Sequence, residues 1–186
     1  MEHVRAHGYP VPAARAINDT DIVMDRVEGP TMLDDLGRRP WLIDRHAATL
    51  AALHRRLHAI EAPAWLSAPL GDGRSILHLD LHPDNVMLTA GGPIVIDWPN
   101  VARGPAEADV AHTWIVLACS TPTTGAYRQV LSRLGRRIFL SRFLRHFDRT
   151  VLTAQIEAAG RYRLANRNLP DGELRAIRHT IARVRP

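Results

Sequence analysis

The sequence contains no lysine, and all 24 of its basic residues are arginine. Without a lysine amine, the chain cannot form a Schiff base, use a lysine as general base or hold a phosphate group with a lysine. Enzyme mechanisms that need any of these groups are therefore excluded for these 186 residues. A drift of genomic base composition also favours arginine over lysine, so this absence does not by itself identify a function.

The chain is equally poor in cysteine and in long apolar runs. Its one cysteine, Cys119, excludes an intrachain disulfide, and a composition this low in cysteine is typical of cytoplasmic proteins. The apolar stretches are far shorter than the roughly 20 residues that span a bilayer, and the N-terminus lacks the apolar run of a secretory signal. We therefore expect one cytoplasmic domain over residues 1–186, with no membrane segment.

Acidic residues are scarce in the last third of the chain. Residues 128–186 hold 14 arginines and 4 acidic residues, whereas residues 1–127 hold 10 arginines and 15 acidic residues. A basic segment of this kind occurs in proteins that bind nucleic acids. Its arginines are interleaved with apolar residues at helical spacing, so we favour a solvated helical face over a nucleic-acid-binding surface.

Hydrophobic periodicity predicts a chain that is mostly helical. In residues 41–60 the apolar positions recur at steps of three and four residues, which predicts a long amphipathic helix. Thr31 is a predicted N-cap of a short helix through Gly37, and Asp34 completes a weak capping box. After Pro105 the pattern predicts four more helices, over residues 106–119, 127–147, 151–166 and 171–183.

Three short strands complete the prediction, which is an α+β fold that is mostly α. One strand is predicted over residues 21–27, where it ends at Glu28-Gly29-Pro30. The other two, over residues 86–88 and 94–96, are separated by a turn that contains Gly91 and Gly92. Two adjacent glycines suit the positive φ of a tight hairpin.

Polar residues lie at the open end of this predicted hairpin. The segment His78-Leu79-Asp80-Leu81-His82-Pro83-Asp84-Asn85 precedes the first strand, and Ile96-Asp97-Trp98 ends the second. Because the hairpin folds back on its turn, we expect Asp97 to lie near Asn85, where two oxygen ligands suit Mg²⁺. Asp80, a carboxylate outside that pair, is a candidate to accept a proton from an attacking hydroxyl. This combination predicts phosphoryl transfer.

The spacing His78-x-Asp80-x-x-x-x-Asn85, followed by Asp97 in Val-Ile-Asp-Trp, resembles the aminoglycoside phosphotransferase and choline kinase-like family, which has a protein-kinase-like fold. The resemblance covers residues 1–120 and extends more loosely to the end. It implies a helical large (C-terminal) lobe over residues 31–186, with a hinge strand and a catalytic-loop β-hairpin. Residues 1–30 would then be a remnant of the small lobe and the hinge.

The same resemblance implies a role for individual residues. Asp80 would be the catalytic base, and Asn85 and Asp97 would be the Mg²⁺ ligands. His78 and Asp109 would support the catalytic loop from beneath. Backbone groups of Asp25 and Val27 would face the adenine of ATP (or the base of GTP), with Met24 behind it. The acceptor would be a hydroxyl group of a small molecule.

One part of the family pattern is missing. Family members carry a glycine-rich phosphate loop and a strand lysine paired with a helix glutamate before the hinge, and this sequence contains neither. The expected reasons are a start recorded downstream of the true one, a gene remnant, or a homo-oligomer or partner that covers the missing lobe. We expect weak nucleotide binding and poor turnover, and a truncated pseudokinase-like nucleotide-binding module is the alternative function.

Two metal-binding interpretations also follow from the histidines. His78-x-Asp80-x-His82 would place three ligands on one face of a strand, as in a metallohydrolase, although further ligands at suitable spacing are wanting. His54 and His58 are four residues apart on the long helix, but nothing in the sequence completes a ligand set, so we favour a packing role.

The basic charge after residue 127 favours a neutral or anionic acceptor over a polycationic aminoglycoside.

Overall fold

The computed structural model describes residues 1–18, 21–120 and 126–184. Its helices are α1 (Glu2–Ala6), α2 (Met32–Arg38), α3 (Ile43–His58), α4 (Ala106–Cys119), α5 (Ala126–Leu144), α6 (Arg149–Leu164) and α7 (Asp171–Val184). Its strands are β1 (Ala14–Ala16), β2 (Ile22–Met24), β3 (Ser75–Leu77), β4 (Val86–Thr89), β5 (Gly92–Val95) and β6 (Ala102–Gly104). The fold is therefore α+β and mostly helical, as the sequence predicts.

Helix α4 lies at the centre of the helical part. Its sequence is apolar on nearly every face, which is typical of a helix that is buried all round. It packs against α5, α6 and α7, and a core cluster joins Ile115 of α4 to Ile156 of α6 and Ile177 of α7. A second cluster places Phe139 and Phe143 of α5 against the apolar face of α3. These contacts fix α4, which carries Asp109 in its first turn.

The predicted helices are confirmed with small shifts at their ends. Helix α3 begins at Ile43 rather than Trp41, because a short 3₁₀ turn over Pro40–Leu42 precedes it. Helix α2 has the predicted capping box: Asp34 N donates to Thr31 Oγ1 at 3.0 Å, and Thr31 N donates to Asp34 Oδ2 at 3.4 Å. Helix α5 ends at Leu144, three residues before the predicted end at Phe147.

The predicted hairpin is confirmed, and its ladder pairs Val86 with Val95. The sheet formed by β3 and β6 is absent from the sequence prediction. The strand predicted over residues 21–27 is shorter, since β2 covers only Ile22–Met24. Strand β2 pairs with β1 in an antiparallel hairpin that the sequence analysis missed.

The segment after β2 runs directly against β4. Leu88 N donates to Pro30 O at 2.9 Å, and Gly29 has a φ of +141°. A Cβ atom at Gly29 would lie 2.1 Å from the Leu88 carbonyl oxygen, so only glycine permits this approach. The contact places residues 25–30 beside the hairpin that carries the candidate metal ligands.

Two further expectations concern the surface and the membrane. Among the described arginines after residue 132, Arg136, Arg142 and Arg163 are half-buried and the others are exposed, as expected for a solvated helical face. Within residues 1–18, 21–120 and 126–184, each helix is too short or too polar to span a bilayer.

Candidate active site

The loop over residues 78–85 is held from below by Asp109, in the first turn of α4. Leu79 N donates to Asp109 Oδ1 at 2.7 Å, and His78 N donates to Asp109 Oδ2 at 3.2 Å. The Asp109 side chain is fully buried, so these hydrogen bonds are shielded from water and strengthened by the low dielectric. Asp109 therefore lies where the sequence resemblance places a residue that supports the loop.

Leu79 adopts a left-handed backbone conformation, with a φ of +57°. For an L-residue with a side chain this conformation costs roughly 1–2 kcal/mol. The hydrogen bond to Asp109 and the burial of the Leu79 side chain against Leu77 and Ala108 offset that cost. The turn at Leu79 breaks strand alternation between His78 and Asp80, so their side chains point in different directions.

This strain predicts an inverted order of stability for two Leu79 variants. Leu79→Ala and Leu79→Gly both lose the buried side chain, at a cost of about 2–5 kcal/mol. Glycine is normally less stable than alanine by roughly 0.5–1 kcal/mol, but at a positive φ it relieves the strain. We expect Leu79→Gly to be about 1 kcal/mol more stable than Leu79→Ala in urea denaturation.

The matched control is Leu77, a buried residue of β3 two positions earlier. There the usual order should hold, with Leu77→Ala more stable than Leu77→Gly. The same order at both positions would contradict a strained backbone at Leu79.

His78 lies beneath the loop rather than in the reaction space. Its side chain is fully buried, its Nε2 donates to Ile96 O at 3.1 Å, and its ring lies 4.5 Å from that of Trp98. His78 thus ties the loop to the end of the β4–β5 hairpin. Because it faces Ile96 and not Asp80, the metallohydrolase interpretation of His78, Asp80 and His82 as one ligand face is wrong.

The two carboxylate oxygens of Asp80 differ: Oδ2 accepts a hydrogen bond and Oδ1 does not, among the described residues. Asn85 Nδ2 donates to the Asp80 carbonyl at 2.8 Å and to Asp80 Oδ2 at 3.3 Å. Oδ1 is buried and has no hydrogen-bond partner among the described residues. His82 Nε2 lies 3.6 Å from Oδ1, and Arg163 Nη1 lies 3.5 Å from it. Oδ1 is therefore an acceptor without a hydrogen-bond donor among the described residues, enclosed by His82 and Arg163.

The charge around Asp80 keeps its carboxylate ionised. Burial raises the pKa of Asp80, but the opposing effects of His82 and Arg163 are larger together, and the pKa lies below its ordinary value. A carboxylate that is ionised at neutral pH and has an oxygen without a hydrogen-bond donor can accept a proton. Asp80 therefore has the charge state that a candidate general base requires.

Arg163 is the site residue that sequence analysis missed. It lies on α6, and its Nε and Nη2 both donate to Glu173 Oε1 at 3.1 Å. Glu173, on α7, is buried, so the pair fixes the Arg163 guanidinium beside Asp80. Arg163 is one of many arginines in the basic segment, and no local pattern sets it apart from the others.

Asn85 and Asp97 are brought together by the hairpin, as predicted. Ile96 N donates to Asn85 O at 3.1 Å, so Asp97 follows directly on that contact. Asp97 has a φ of +64°, a conformation that aspartate tolerates, and its side chain is exposed. Asn85 turns its Nδ2 toward Asp80, which leaves its amide oxygen as a possible ligand. An amide oxygen and a carboxylate on two adjoining segments are ligand types that suit Mg²⁺, which takes few protein ligands and keeps several waters.

The residues predicted to face a nucleotide base lie at the end of β2. Asp25 N is committed to Ala13 O at 2.9 Å. The Asp25 carbonyl and Val27 N–H have no hydrogen bond to any described residue, so both remain able to pair with a purine edge. Met24 is 46% exposed. A nucleotide base bound at the end of β2 would cover it, and Met24 would then form one wall of the base pocket.

His54 and His58 are joined by a third candidate ligand. His54 Nδ1, His58 Nε2 and Asp109 Oδ2 all lie within 4.8 Å of one another. The sequence-based view that nothing completes a ligand set with these two histidines is therefore wrong. Asp109 was missed as a partner because it is 51 residues from His58 in the sequence.

His112, on α4 close to this site, predicts a loss of stability in acid. Its side chain is buried, and burial, with Arg163 and His82 nearby, lowers its pKa to about 4. In the unfolded chain the His112 ring binds a proton near pH 6.5. The contribution of the neutral, buried ring to the free energy of unfolding is therefore complete above that pH and is lost as the pH falls toward 4. We expect His112→Gln to remove about 3 kcal/mol from the fall in unfolding free energy between pH 7 and pH 4.

The measurement is urea denaturation of both proteins at pH 7, 5.5 and 4. An exposed histidine gives the control, since His179→Gln should leave the slope against pH unchanged. Parallel curves for the wild type and His112→Gln would contradict the prediction.

Comparison with known proteins assigns the family. A search of curated proteins finds no match to this chain. The profile of the phosphotransferase enzyme family matches residues 55–150, which is just over half of the sequence. The matched range contains the 78–85 loop, the β4–β5 hairpin and Asp109. The chain belongs to the phosphotransferase enzyme family.

Proposed function

We propose that this protein is an ATP-dependent O-phosphotransferase that acts on a hydroxyl group of a small molecule, with GTP as the alternative donor. The observation that carries the proposal is Asp80 Oδ1, a buried carboxylate oxygen without a hydrogen-bond donor among the described residues. Asp80 is held by Asn85, which in turn contacts Ile96, the residue before Asp97. Family membership supports the reaction class. In this proposal residues 31–186 are the large lobe of a kinase-like fold, and β2 with residues 25–27 is the hinge.

Each residue has a distinct task in the proposed reaction. Asp80 accepts the proton of the acceptor hydroxyl at Oδ1, while Asn85 holds Oδ2 and so fixes the carboxylate plane. Asn85 and Asp97 are the residues that would hold Mg²⁺, which supplies charge neutralisation to the phosphate groups when it is bound. Asp109 and His78 keep the loop in its left-handed turn. The protein contributes position and charge more than covalent chemistry.

The groups around Asp80 favour a neutral or anionic acceptor. His82 Nε2 and Arg163 Nη1 both face Asp80 Oδ1 from within 3.6 Å. His82 Nδ1 accepts a hydrogen bond from Asp84 N, so the proton of the neutral ring is on Nε2, which faces the acceptor space. A polycationic acceptor would meet these donors and the net positive charge of the last third of the chain.

The test is a transfer assay with the 186-residue chain, with ATP or GTP, Mg²⁺ and a panel of aminoglycosides, sugars, amino alcohols and hydroxy acids. We expect slow, Mg²⁺-dependent phosphorylation of a neutral or anionic member. Asp97→Asn should raise the Mg²⁺ concentration for half-maximal rate by about tenfold, equivalent to 1.4 kcal/mol of binding free energy. Transfer that does not depend on Mg²⁺, or an unchanged Mg²⁺ requirement in Asp97→Asn, would contradict the proposal.

A nucleotide-binding module without transfer is the second candidate. The observation that favours it is the absence of lysine in all 186 residues, since no amine is present to hold the phosphates. Calorimetry that detects Mg²⁺-dependent ATP binding, together with no product from any acceptor, would select this function. A homo-oligomer or a partner that covers the exposed side of β2 belongs to the same proposal, and sedimentation velocity tests it.

A further inference from the structure

A buried cluster of nitrogen and oxygen atoms lies behind the candidate active site, between α3 and α4. It consists of His54 and His58, one turn apart on α3, and Asp109 on α4. His58 Nε2 lies 2.9 Å from Asp109 Oδ2, and His54 Nδ1 lies 3.5 Å from the same oxygen. The side chains of His54 and Asp109 are fully buried and that of His58 is 8% exposed. No contact of these three residues with Asp80 Oδ1 is seen among the described residues.

The hydrogen bonds of the cluster determine where the His54 proton lies. Thr113 Oγ1 donates to Leu81 O at 2.9 Å, so its oxygen accepts from His54 Nε2 at 3.2 Å. A neutral His54 ring therefore has its proton on Nε2 and an unshared electron pair on Nδ1. Nδ1 is buried and has no hydrogen-bond partner among the described residues.

This arrangement leaves one unfavourable contact when only protons are present. The electron pair of His54 Nδ1 faces Asp109 Oδ2, which is also an acceptor, at 3.5 Å. Charging His54 would remove the repulsion, but burial lowers the pKa of His54 and favours the neutral ring. A divalent cation between the three atoms would satisfy both acceptors, with His58 giving up its Nε2 proton to solvent.

We propose that His54 Nδ1, His58 Nε2 and Asp109 Oδ2 form a binding site for a zinc-like divalent cation. Two imidazoles and one carboxylate are typical zinc ligands, whereas Mg²⁺ prefers oxygen alone. Zinc bond lengths of roughly 2.0–2.1 Å put neighbouring ligand atoms about 3.3–3.5 Å apart. The separation of His54 Nδ1 from Asp109 Oδ2, 3.5 Å, matches this value, and that of His58 Nε2 from the same oxygen, 2.9 Å, must widen when the metal replaces the proton. The site is distinct from Asn85 and Asp97, which offer only oxygen.

A cleft beside the cluster reaches His58 and gives a path of entry. It has a volume of about 360 Å³ and is lined by His58, Glu107 and Asp148, among others. Water reaches the exposed edge of His58 from this cleft. Its charged lining is Glu107, Asp148 and Arg55, which leaves an excess of one negative charge that favours cations. The bound ion would join α3 to α4 directly under the 78–85 loop, and it would raise stability rather than take part in phosphate transfer.

The test measures metal content and melting temperature, independently of any transferase assay. The protein is purified from zinc-supplemented medium, passed through a desalting column and analysed by mass spectrometry for metals. We expect about one zinc per chain, a higher melting temperature than after EDTA treatment, and loss of both effects in His54→Gln and His58→Gln. Asp97→Asn should retain the zinc, which separates this site from the Mg²⁺ site.

A matched histidine pair provides the control. His3, on α1, and His7, directly after it, are also four residues apart, and their rings lie 4.7 Å apart at the surface. His7→Gln should leave the zinc content unchanged. If a cluster variant does not fold, Co²⁺ added to the metal-free wild type replaces it, with a visible absorption band expected for a low-coordinate nitrogen–oxygen site. Absence of retained zinc and of any melting shift, or equal zinc loss in His7→Gln, would overturn the proposal.

Discussion

Asp80→Asn is expected to reduce the rate of phosphoryl transfer by about 10²- to 10⁴-fold, the range that a positioned general base contributes. The amide has nearly the same size as the carboxylate, so the loop geometry should persist. It cannot accept the acceptor proton at the position of Oδ1, and it also loses the charge that His82 and Arg163 now hold beside it. The loss should appear in both kcat and kcat/KM, because the proton moves in the transition state.

The control for this variant is Asp84→Asn, four residues later in the same loop. Asp84 is exposed, in a 3₁₀ turn, and its one hydrogen bond to a described residue runs from its backbone N–H to His82 Nδ1. We expect its transfer rate to stay within about twofold of the wild type, as for surface substitutions away from special features. A rate for Asp80→Asn within tenfold of Asp84→Asn, with both melting temperatures unchanged, would contradict a role for Asp80 as base.

The parts of this site that the sequence predicts are those with fixed local spacing. The interval from Asp80 to Asn85 lies within one loop, and Asp97 returns to Asn85 because a four-residue strand pair joins them. The helices were predicted because a 3.6-residue period persists over several turns. In each case the chain between the residues determines their distance, so no tertiary information is needed.

The parts that the sequence does not predict depend on contacts between distant segments. Strands β1, β3 and β6 have three residues each, too few to show a period, and β3 pairs with β6 across the 24 residues from 78 to 101. Arg163 meets Asp80 only because α6 packs on α4. The pairing of His54 and His58 with Asp109 likewise requires α3 to lie beside α4, which periodicity alone does not specify.

The conformation of Leu79 shows a different limit. Leucine is a poor choice for a left-handed turn, and local preference would place residues 78–82 in an extended strand. The structure overrides that preference through two backbone hydrogen bonds to one buried carboxylate and the burial of the leucine side chain. The active-site loop is thus specified by α4, which follows it in the sequence, and not by the loop itself.

Asp109→Ala is expected to lower the free energy of unfolding by about 3–5 kcal/mol, the cost of removing one partner from a buried charged network. The substitution leaves the N–H groups of His78 and Leu79 without an acceptor and removes the partner of His58. Burial raises the pKa of Asp109, but the neighbouring His54 and His58 outweigh burial, and the pKa lies well below its ordinary value. The carboxylate is therefore ionised in the folded protein, and its contribution is present above the unfolded pKa of about 4.

Asp109→Asn separates the support of the loop from a simple helix-end effect. An acidic residue in the first turn of a helix contributes roughly 0.3–1 kcal/mol through the helix dipole, and the exposed Glu107 in the same turn of α4 measures that effect. Asparagine keeps one acceptor oxygen but presents an NH₂ group where Asp109 now accepts a second N–H, which leaves a buried donor unsatisfied at a cost of about 1–3 kcal/mol.

With EDTA present to exclude bound metal, urea denaturation should show Asp109→Asn to be less stable than Glu107→Gln by about 2 kcal/mol. The difference should shrink as the pH falls below 4, because the wild-type carboxylate then loses its advantage. Equal losses for the two variants would mean that Asp109 acts as a helix-terminal charge and that the 78–85 loop is held by other contacts.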